Sequence, residues 1–303
     1  MNNKDINFVF FGTPDVASET LEILKQSGFL PCLIVTAPDR PAGRKMILTP
    51  PPVKTWAIEN NIPFIQPENK LTNKEIYDAL AILGRSDDDG QKEFSTENSR
   101  GEQSIIDFFI VVAYGKILSE EIINMPKYGS INIHYSLLPK YRGASPVESA
   151  ILNGDNETGI AIQKMVYKMD AGPIIAMEKV AIDPDEHAIE LRKKLIKIGG
   201  DLLVNTLPDF INGKINLTEQ DETKATNCKK IKKEDGILNE ADSEELKYNK
   251  FRAYSLWPRT FFFKEDKRII VTEAQIEDSK FVIKKVLPEG KKEISYLDFI
   301  KNN

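Results

Sequence analysis

The chain has 303 residues, 41% hydrophobic and 29% charged, with a net charge of −5. That is the composition of a globular protein long enough for two domains, and its acidic balance excludes a uniformly basic nucleic-acid binder. Cys32 and Cys228, and His134 and His187, are too scattered for metal-ligand spacing, so no metal is expected and the thiols read as free in a reducing cytoplasm.

The first apolar run, residues 6–11, stops at Gly12. It is too short for a secretion signal or a membrane span, so a cytoplasmic protein without membrane contact is expected. It reads as a strand followed by Gly12-Thr13-Pro14, with Thr13 placed to cap a helix and Pro14 in its first turn. Val16, Thr20, Leu21 and Leu24 then repeat at helical spacing. A G-x-G-x-x-G fingerprint is absent after Gly12, and Asp15 would repel a pyrophosphate there, which argues against a dinucleotide site and a nicotinamide-dependent redox enzyme. Residues 32–35 read as a strand, 53–59 as a helix, 64–65 as a short strand and 74–83 as a helix. Arg40, Arg44 and Lys45 fall in a loop punctuated by Pro38, Pro41 and Gly43. Residues 85–104 hold one large apolar residue, Phe94, and are expected to form a mobile surface insertion.

Residues 105–113 are almost continuously apolar, the mark of a central strand buried on both faces. The repeated strand–helix alternation predicts an α/β fold, a doubly wound and mostly parallel sheet with ligands at the carboxyl ends of its strands. Asn132 and His134 lie two apart at the end of the next strand and so share a face. Asp170 sits in the turn Met169-Asp170-Ala171-Gly172-Pro173 between predicted strands at 158–166 and 173–182. An amide, an imidazole and a carboxylate suit acyl transfer, which needs donors for a developing oxyanion and a group to accept a proton. Residues 186–210 read as a helix and 211–225 as a linker. Residues 226–303, with strand-like runs at 260–263, 269–272 and 281–286, read as a small all-β domain, barrel-like although the same periodicity fits a sandwich. The expected division is therefore a 1–210 catalytic domain, the linker, and the 226–303 domain.

Ser136-Leu137-Leu138-Pro139-Lys140-Tyr141-Arg142-Gly143 resembles the signature of formyltransferases that use 10-formyltetrahydrofolate. Gly12-Thr13-Pro14, Ala113-Tyr114-Gly115-Lys116-Ile117-Leu118, the Asp170 turn, Trp257-Pro258 and Pro288-Glu289-Gly290-Lys291-Lys292 are similar to further stretches of that family. The likeness is most specific over 129–178, good over 6–60 and loose over 210–303. It implies a Rossmann-like formyltransferase domain in which Asn132, His134 and Asp170 form the catalytic set. It places the folate, a formyl donor acting without a metal, against Ser136, Leu137, Leu138 and Pro139, with Tyr114, Gly115, Lys116, Ile117 and Leu118 as further pocket candidates.

The resemblance also implies the acceptor: the free amino group of an initiator methionyl-tRNA, formylated through a tetrahedral intermediate by a monomeric enzyme. Arg40, Arg44 and Lys45 would meet the acceptor end of that tRNA. After Arg44 the chain reads Lys45-Met46-Ile47, shorter and less basic than the family pattern. Lys229, Lys230, Lys232 and Lys233, with Arg252 and Arg259 beside Trp257, offer phosphate contacts further on. The rival readings are a formyltransferase for a small amine, an amino sugar or glycinamide ribonucleotide, and a non-catalytic RNA-binding relative.

Overall fold

The structure, a computed structural model, describes residues 6–43, 45–83 and 106–301. Arg44 and the expected insertion at 85–104 lie outside them.

Strand β1 (Phe8–Gly12) is buried along its whole length, as its unbroken apolar run requires. Helix α1 (Asp15–Gln26) follows, but Thr13 does not cap it. Pro14 takes the extended cap position, so Thr13 stands one residue too early, and its hydroxyl donates to the Tyr114 carbonyl at 3.0 Å. The chain leaves α1 through Gly28 at φ +84°, a left-handed turn that glycine adopts without strain. After β2 (Leu33–Val35) come β3 (Arg40–Ala42) and β4 (Ile47–Thr49). These two pair antiparallel, with Pro41 opposite Leu48, so the basic stretch expected as an irregular loop is an exposed hairpin. Gly43 at φ +69° and Met46 at φ +50° supply its reversal. Helix α2 (Pro52–Glu59) starts on proline. β5 (Phe64–Ile65) and α3 (Asn73–Leu83) complete this half. Thr72 and Glu75 cap α3 reciprocally, at 2.8 and 3.3 Å.

β6 (Phe108–Val112) is wholly buried. α4 (Glu120–Ile123), β7 (Ser130–His134), β8 (Arg142–Gly143), α5 (Pro146–Leu152), β9 (Glu157–Lys164), β10 (Ile174–Ala181) and the long α6 (Ala188–Ile211) follow. The main sheet has seven strands in the order β10-β9-β7-β6-β1-β2-β5. β5, β2, β1, β6 and β7 run parallel to one another, and β9 runs antiparallel to β7. One cross-strand row matters most: Ile65, Val35, Phe11, Val111, Asn132 and Gln163 stand side by side. The row is apolar over the first four strands and turns polar on β7 and β9. Val9, Phe11, Val35 and Val111 pack with Ile76, Leu80, Tyr114 and Ile122 on that face. On the other face the Phe108 and Phe210 rings stack at 5.7 Å. Gly200 lets α6 approach α1 there, since a Cβ would meet the Ile23 side chain at 2.7 Å.

The chain divides into two compact units, one of Met1–His134, Ala161–Met177 and Ile196–Gln220, the other of the remainder. In the second unit β11 (Asn227–Cys228) pairs with β8. Gly143 sits at φ +121° where a Cβ would strike the Cys228 carbonyl. Helix α7 (Glu244–Ala253) is capped by the Ser243 hydroxyl. Then β12 (Phe261–Lys264), β13 (Lys267–Glu277), β14 (Lys280–Pro288) and β15 (Ile294–Ser295) form a four-stranded antiparallel sheet, followed by α8 (Tyr296–Lys301). Its hairpins turn on Glu265-Asp266 and Asp278-Ser279, both pairs at positive φ. Ile269, Val286 and Phe299 form its small core. Among the described residues no helix is long and apolar enough to cross a membrane.

Candidate active site

The polar end of the cross-strand row lies at the carboxyl edge of β7. Asn132 donates its amide to the Val111 carbonyl at 2.9 Å and accepts from the Gln163 amide at 3.1 Å. These two bonds fix which way its carboxamide faces. Two residues on, the buried His134 presents Nδ1 to Asp170 Oδ2 at 3.7 Å. The Asp170 side chain is 16% exposed, and its other oxygen accepts from Gln163 at 3.1 Å. The structure thus brings together the three residues singled out as catalytic.

Asp170 is held in an unusual backbone state, φ +50°, a left-handed conformation that Asp and Asn tolerate better than bulkier residues. Its turn is clamped from two sides. The Gly172 N–H donates to Gln163 at 3.2 Å, and the Gln220 amide donates to the carbonyls of Asp170 and Gly172 at 2.9 and 2.7 Å. Gly172 itself lies so close to the Lys164 carbonyl that a Cβ has no room.

A cavity of about 260 Å³ opens beside Gln163 and Asp170, walled by Ile117, Leu118, Met165, Val166 and Met169. A second, of about 460 Å³, shares Lys116, Ile117, Leu118 and Tyr167 with it and extends to Leu71 and Tyr114. Ile117, Tyr167 and Met169 are 71%, 64% and 61% exposed, so the rim is apolar and wet. Lys116 is anchored by donating to the Pro67 carbonyl at 2.6 Å. Burial, with the Glu75 charge adding to it, pushes the Tyr114 phenol up to about 12, and it stays neutral. Apolar walls with polar groups along one edge suit a flat heterocycle. A larger cavity of about 520 Å³, lined by Lys140, Asp155, Glu157 and Lys179, holds none of the catalytic candidates.

The remaining sequence candidates fall as follows. Tyr114, Lys116, Ile117 and Leu118 line these cavities, and Gly115 forms the turn among them at φ +79°. Ser136, Leu137, Leu138 and Pro139 belong to the second unit. There Ser136 donates to the Lys140 carbonyl at 2.5 Å, Leu138 is core, Leu137 packs on Gly159, and the Pro139 carbonyl accepts from Thr226 at 3.2 Å. Arg40 and Lys45 are exposed on the β3–β4 hairpin. Lys229, Lys230, Lys232 and Lys233 are exposed, with the Lys232 backbone N–H donating to the Asp235 carboxylate.

Arg252 corrects the sequence reading. It is buried, donates to Asn249 at 2.6 Å and lies over the Tyr248 ring at 5.4 Å, and burial pulls its guanidinium below the usual range. It is a packing residue rather than a phosphate ligand, because α7 turns it inward. Among the described residues no group of three or more His, Cys, Asp or Glu could hold a metal ion. Two glutamines escaped the sequence reading. Gln163 carried a signal, an amide ending the apolar stretch Ile160-Ala161-Ile162 on a strand opposite Asn132. Gln220 carries none, since it sits in a polar stretch with no apolar periodicity.

Residues 5–207 match the formyl transferase family, and residues 230–284 match the formyl transferase C-terminal domain. The chain is 39% identical over 272 residues to the methionyl-tRNA formyltransferase of Caldicellulosiruptor saccharolyticus, spanning 89% of this chain and 80% of that one. It is 38% identical to the methionyl-tRNA formyltransferase of Listeria innocua, spanning 90% and 80%. Among solved structures it superposes on the Clostridium thermocellum methionyl-tRNA formyltransferase with a TM-score of 0.58 at 15% identity, covering 96% of this chain and 99% of that one. A Helicobacter canadensis N-formyltransferase, solved with folinic acid and dTDP-3-aminofucose, gives 0.62 at 18% identity, covering 92% and 95%. At those identities the solved structures speak for the fold alone; the sequence matches settle the kinship. The chain belongs to the formyl transferase family and groups within it with the methionyl-tRNA formyltransferases.

Proposed function

We propose that this formyltransferase moves the formyl group of 10-formyltetrahydrofolate onto the free amino group of methionyl initiator tRNA. The observation that carries the reading is the meeting of Asn132, His134 and Asp170 at the end of β7, with an apolar cavity beside them. When bound, the folate supplies a formyl group already activated on its nitrogen. Asn132 and His134 donate to the formyl oxygen as its carbon becomes tetrahedral. One such donor is worth about 10²–10³ in rate. Asp170 orients His134 and helps remove the proton of the attacking amine, directly or through a water. An α-amine with a pKa near 7.7–8.0 is only about 10–20% neutral at pH 7, so this help is useful but modest. A bond forms between the amine nitrogen and the formyl carbon, the bond to the folate nitrogen breaks, and that nitrogen takes up a proton.

In this reading residues 1–210 carry the chemistry, 211–225 link, and 226–303 hold the tRNA. The protein acts as a cytoplasmic monomer. Ile117, Leu118 and their neighbours wall the pterin slot, and Ser136, Leu137, Leu138 and Pro139 contribute to the folate site. Arg40, Arg44, Lys45 and the lysines at 229, 230, 232 and 233 contact tRNA phosphates. A small acceptor would not need the basic hairpin.

The test is incubation with 10-formyltetrahydrofolate and charged initiator tRNA, alongside elongator methionyl-tRNA, an amino sugar and glycinamide ribonucleotide. Formylation of the initiator tRNA in preference to the rest is expected. Faster turnover of either small amine would overturn the assignment.

A further inference from the structure

Gln163 joins two of the three catalytic candidates, Asn132 and Asp170. Its side chain has two N–H donors and one carbonyl acceptor. One N–H goes to Asn132 Oδ1 and the other to Asp170 Oδ1, each at 3.1 Å, while its carbonyl accepts from the Gly172 N–H at 3.2 Å. The residue is 2% exposed, so water does not compete for these bonds. Nothing in the packing of β9 demands an amide there, because Ile160, Ala161 and Ile162 before it are all buried. An apolar side chain of the same length would fill the space.

We infer that Gln163 is a positioning residue for formyl transfer, setting the direction of the Asn132 amide and the placement of the Asp170 carboxylate at once. By holding Asn132 through its oxygen, Gln163 keeps the Asn132 N–H groups turned the other way, one of them onto the Val111 carbonyl. By holding Asp170 through Oδ1, it leaves Oδ2 toward His134. Its bond from Gly172 ties that placement to the turn itself. The inference rests on the reading of Asn132, His134 and Asp170 as the reacting set.

Two isosteric variants test it. Gln163→Met removes both donors and keeps the volume. Gln163→Glu keeps the shape and sets a carboxylate against Asp170, with His134 on the far oxygen of Asp170 and Lys116 and Tyr167 the other ionisable side chains lining the cavity that Gln163 and Asp170 share. In Gln163→Met, kcat should fall about 10- to 100-fold, the cost of an ångström-scale misplacement, while KM for folate and for tRNA stays within threefold. In Gln163→Glu the loss should be larger at neutral pH and should shrink as pH falls, because a protonated Glu regains one donor. Thermal melting of each variant separates misplacement from unfolding. The inference falls if Gln163→Met keeps kcat within about threefold of the parent, or if Gln163→Glu is impaired equally at all pH values. It also falls if lost activity merely follows lost folded protein. His134→Ala run alongside distinguishes the two failures: an active His134→Ala sinks the site reading, whereas an inactive one beside a fully active Gln163→Met sinks only the role of Gln163.

Discussion

The His134 imidazole and the Asp170 carboxylate face each other at 3.7 Å, inside ion-pairing range but beyond hydrogen-bond length. Gln163 holds the other carboxylate oxygen, so the gap is a set distance rather than a side chain left to wander. A contact that tightens only when substrate excludes water is common in enzymes before they bind. Asp170→Asn retains the shape and suits the same left-handed backbone, but removes the charge. It should lower kcat by about 100-fold with little change in melting temperature. Asp170→Ala should lose stability as well, by about 1 kcal/mol, because alanine is strained at that φ. Steady-state formylation and calorimetry on the pair decide it, and a near-normal Asp170→Asn enzyme would count against any charge role.

Removing the imidazole separates chemistry from binding. His134→Ala should hold tRNA nearly as well as the parent in filter binding, while formylation falls by about two orders of magnitude or more. Equal turnover by the variant would take His134 out of the reacting set.

Much of this site was legible because strand periodicity is rigid. Asn132 and His134 had to share a face, and the all-apolar run around Phe108–Val112 had to be central, so the edge they occupy follows from the residue pattern alone. The cross-strand neighbours were not legible, since register depends on contacts distant in sequence; Gln163 faces Asn132 only because β9 runs antiparallel to β7. Helix α7 was missed for a different reason. Its residues Glu244–Ala253 are largely polar, so no apolar stripe announced it, and Arg252 was consequently read as surface charge.

Gly172 makes a steric prediction. A Cβ there would run into the Lys164 carbonyl, on a turn whose N–H and carbonyl are both engaged by glutamines. Gly172→Ala should cost about 1–3 kcal/mol and displace Asp170, lowering both the denaturant midpoint and kcat. A variant unchanged in both would mean that the close approach is not a constraint.

The β3–β4 hairpin makes an ionic prediction. Arg40 and Lys45 are exposed on it, and phosphate contacts release counterions. Lys45→Ala should raise KM for tRNA, leave KM for folate unchanged, and flatten the log–log salt dependence of tRNA binding by about 0.7–0.9. Arg44→Ala should do the same. Unaltered salt slopes in both would remove the hairpin from the tRNA contact.

Asp242 gives a pH prediction away from the site. Its carboxylate lies 2.6 Å from the Lys250 ammonium, each side chain 13% exposed. Burial alone would raise its pKa, but the Lys250 bond and the Asn239 N–H at 3.1 Å outweigh it, so the carboxyl titrates below its ordinary 3.8. A carboxyl depressed in the folded state adds stability that is fully present above the unfolded value and is lost as pH falls through the folded one. Asp242→Asn should therefore cost about 1.5–3 kcal/mol at pH 7, the worth of a hydrogen bond to a charged group. Urea midpoints of parent and variant should differ by a constant amount from pH 7 down to about pH 4 and converge only below it. A gap that closed near neutrality would assign the effect to another group, and no gap at pH 7 would mean that desolvation of the pair cancels its attraction.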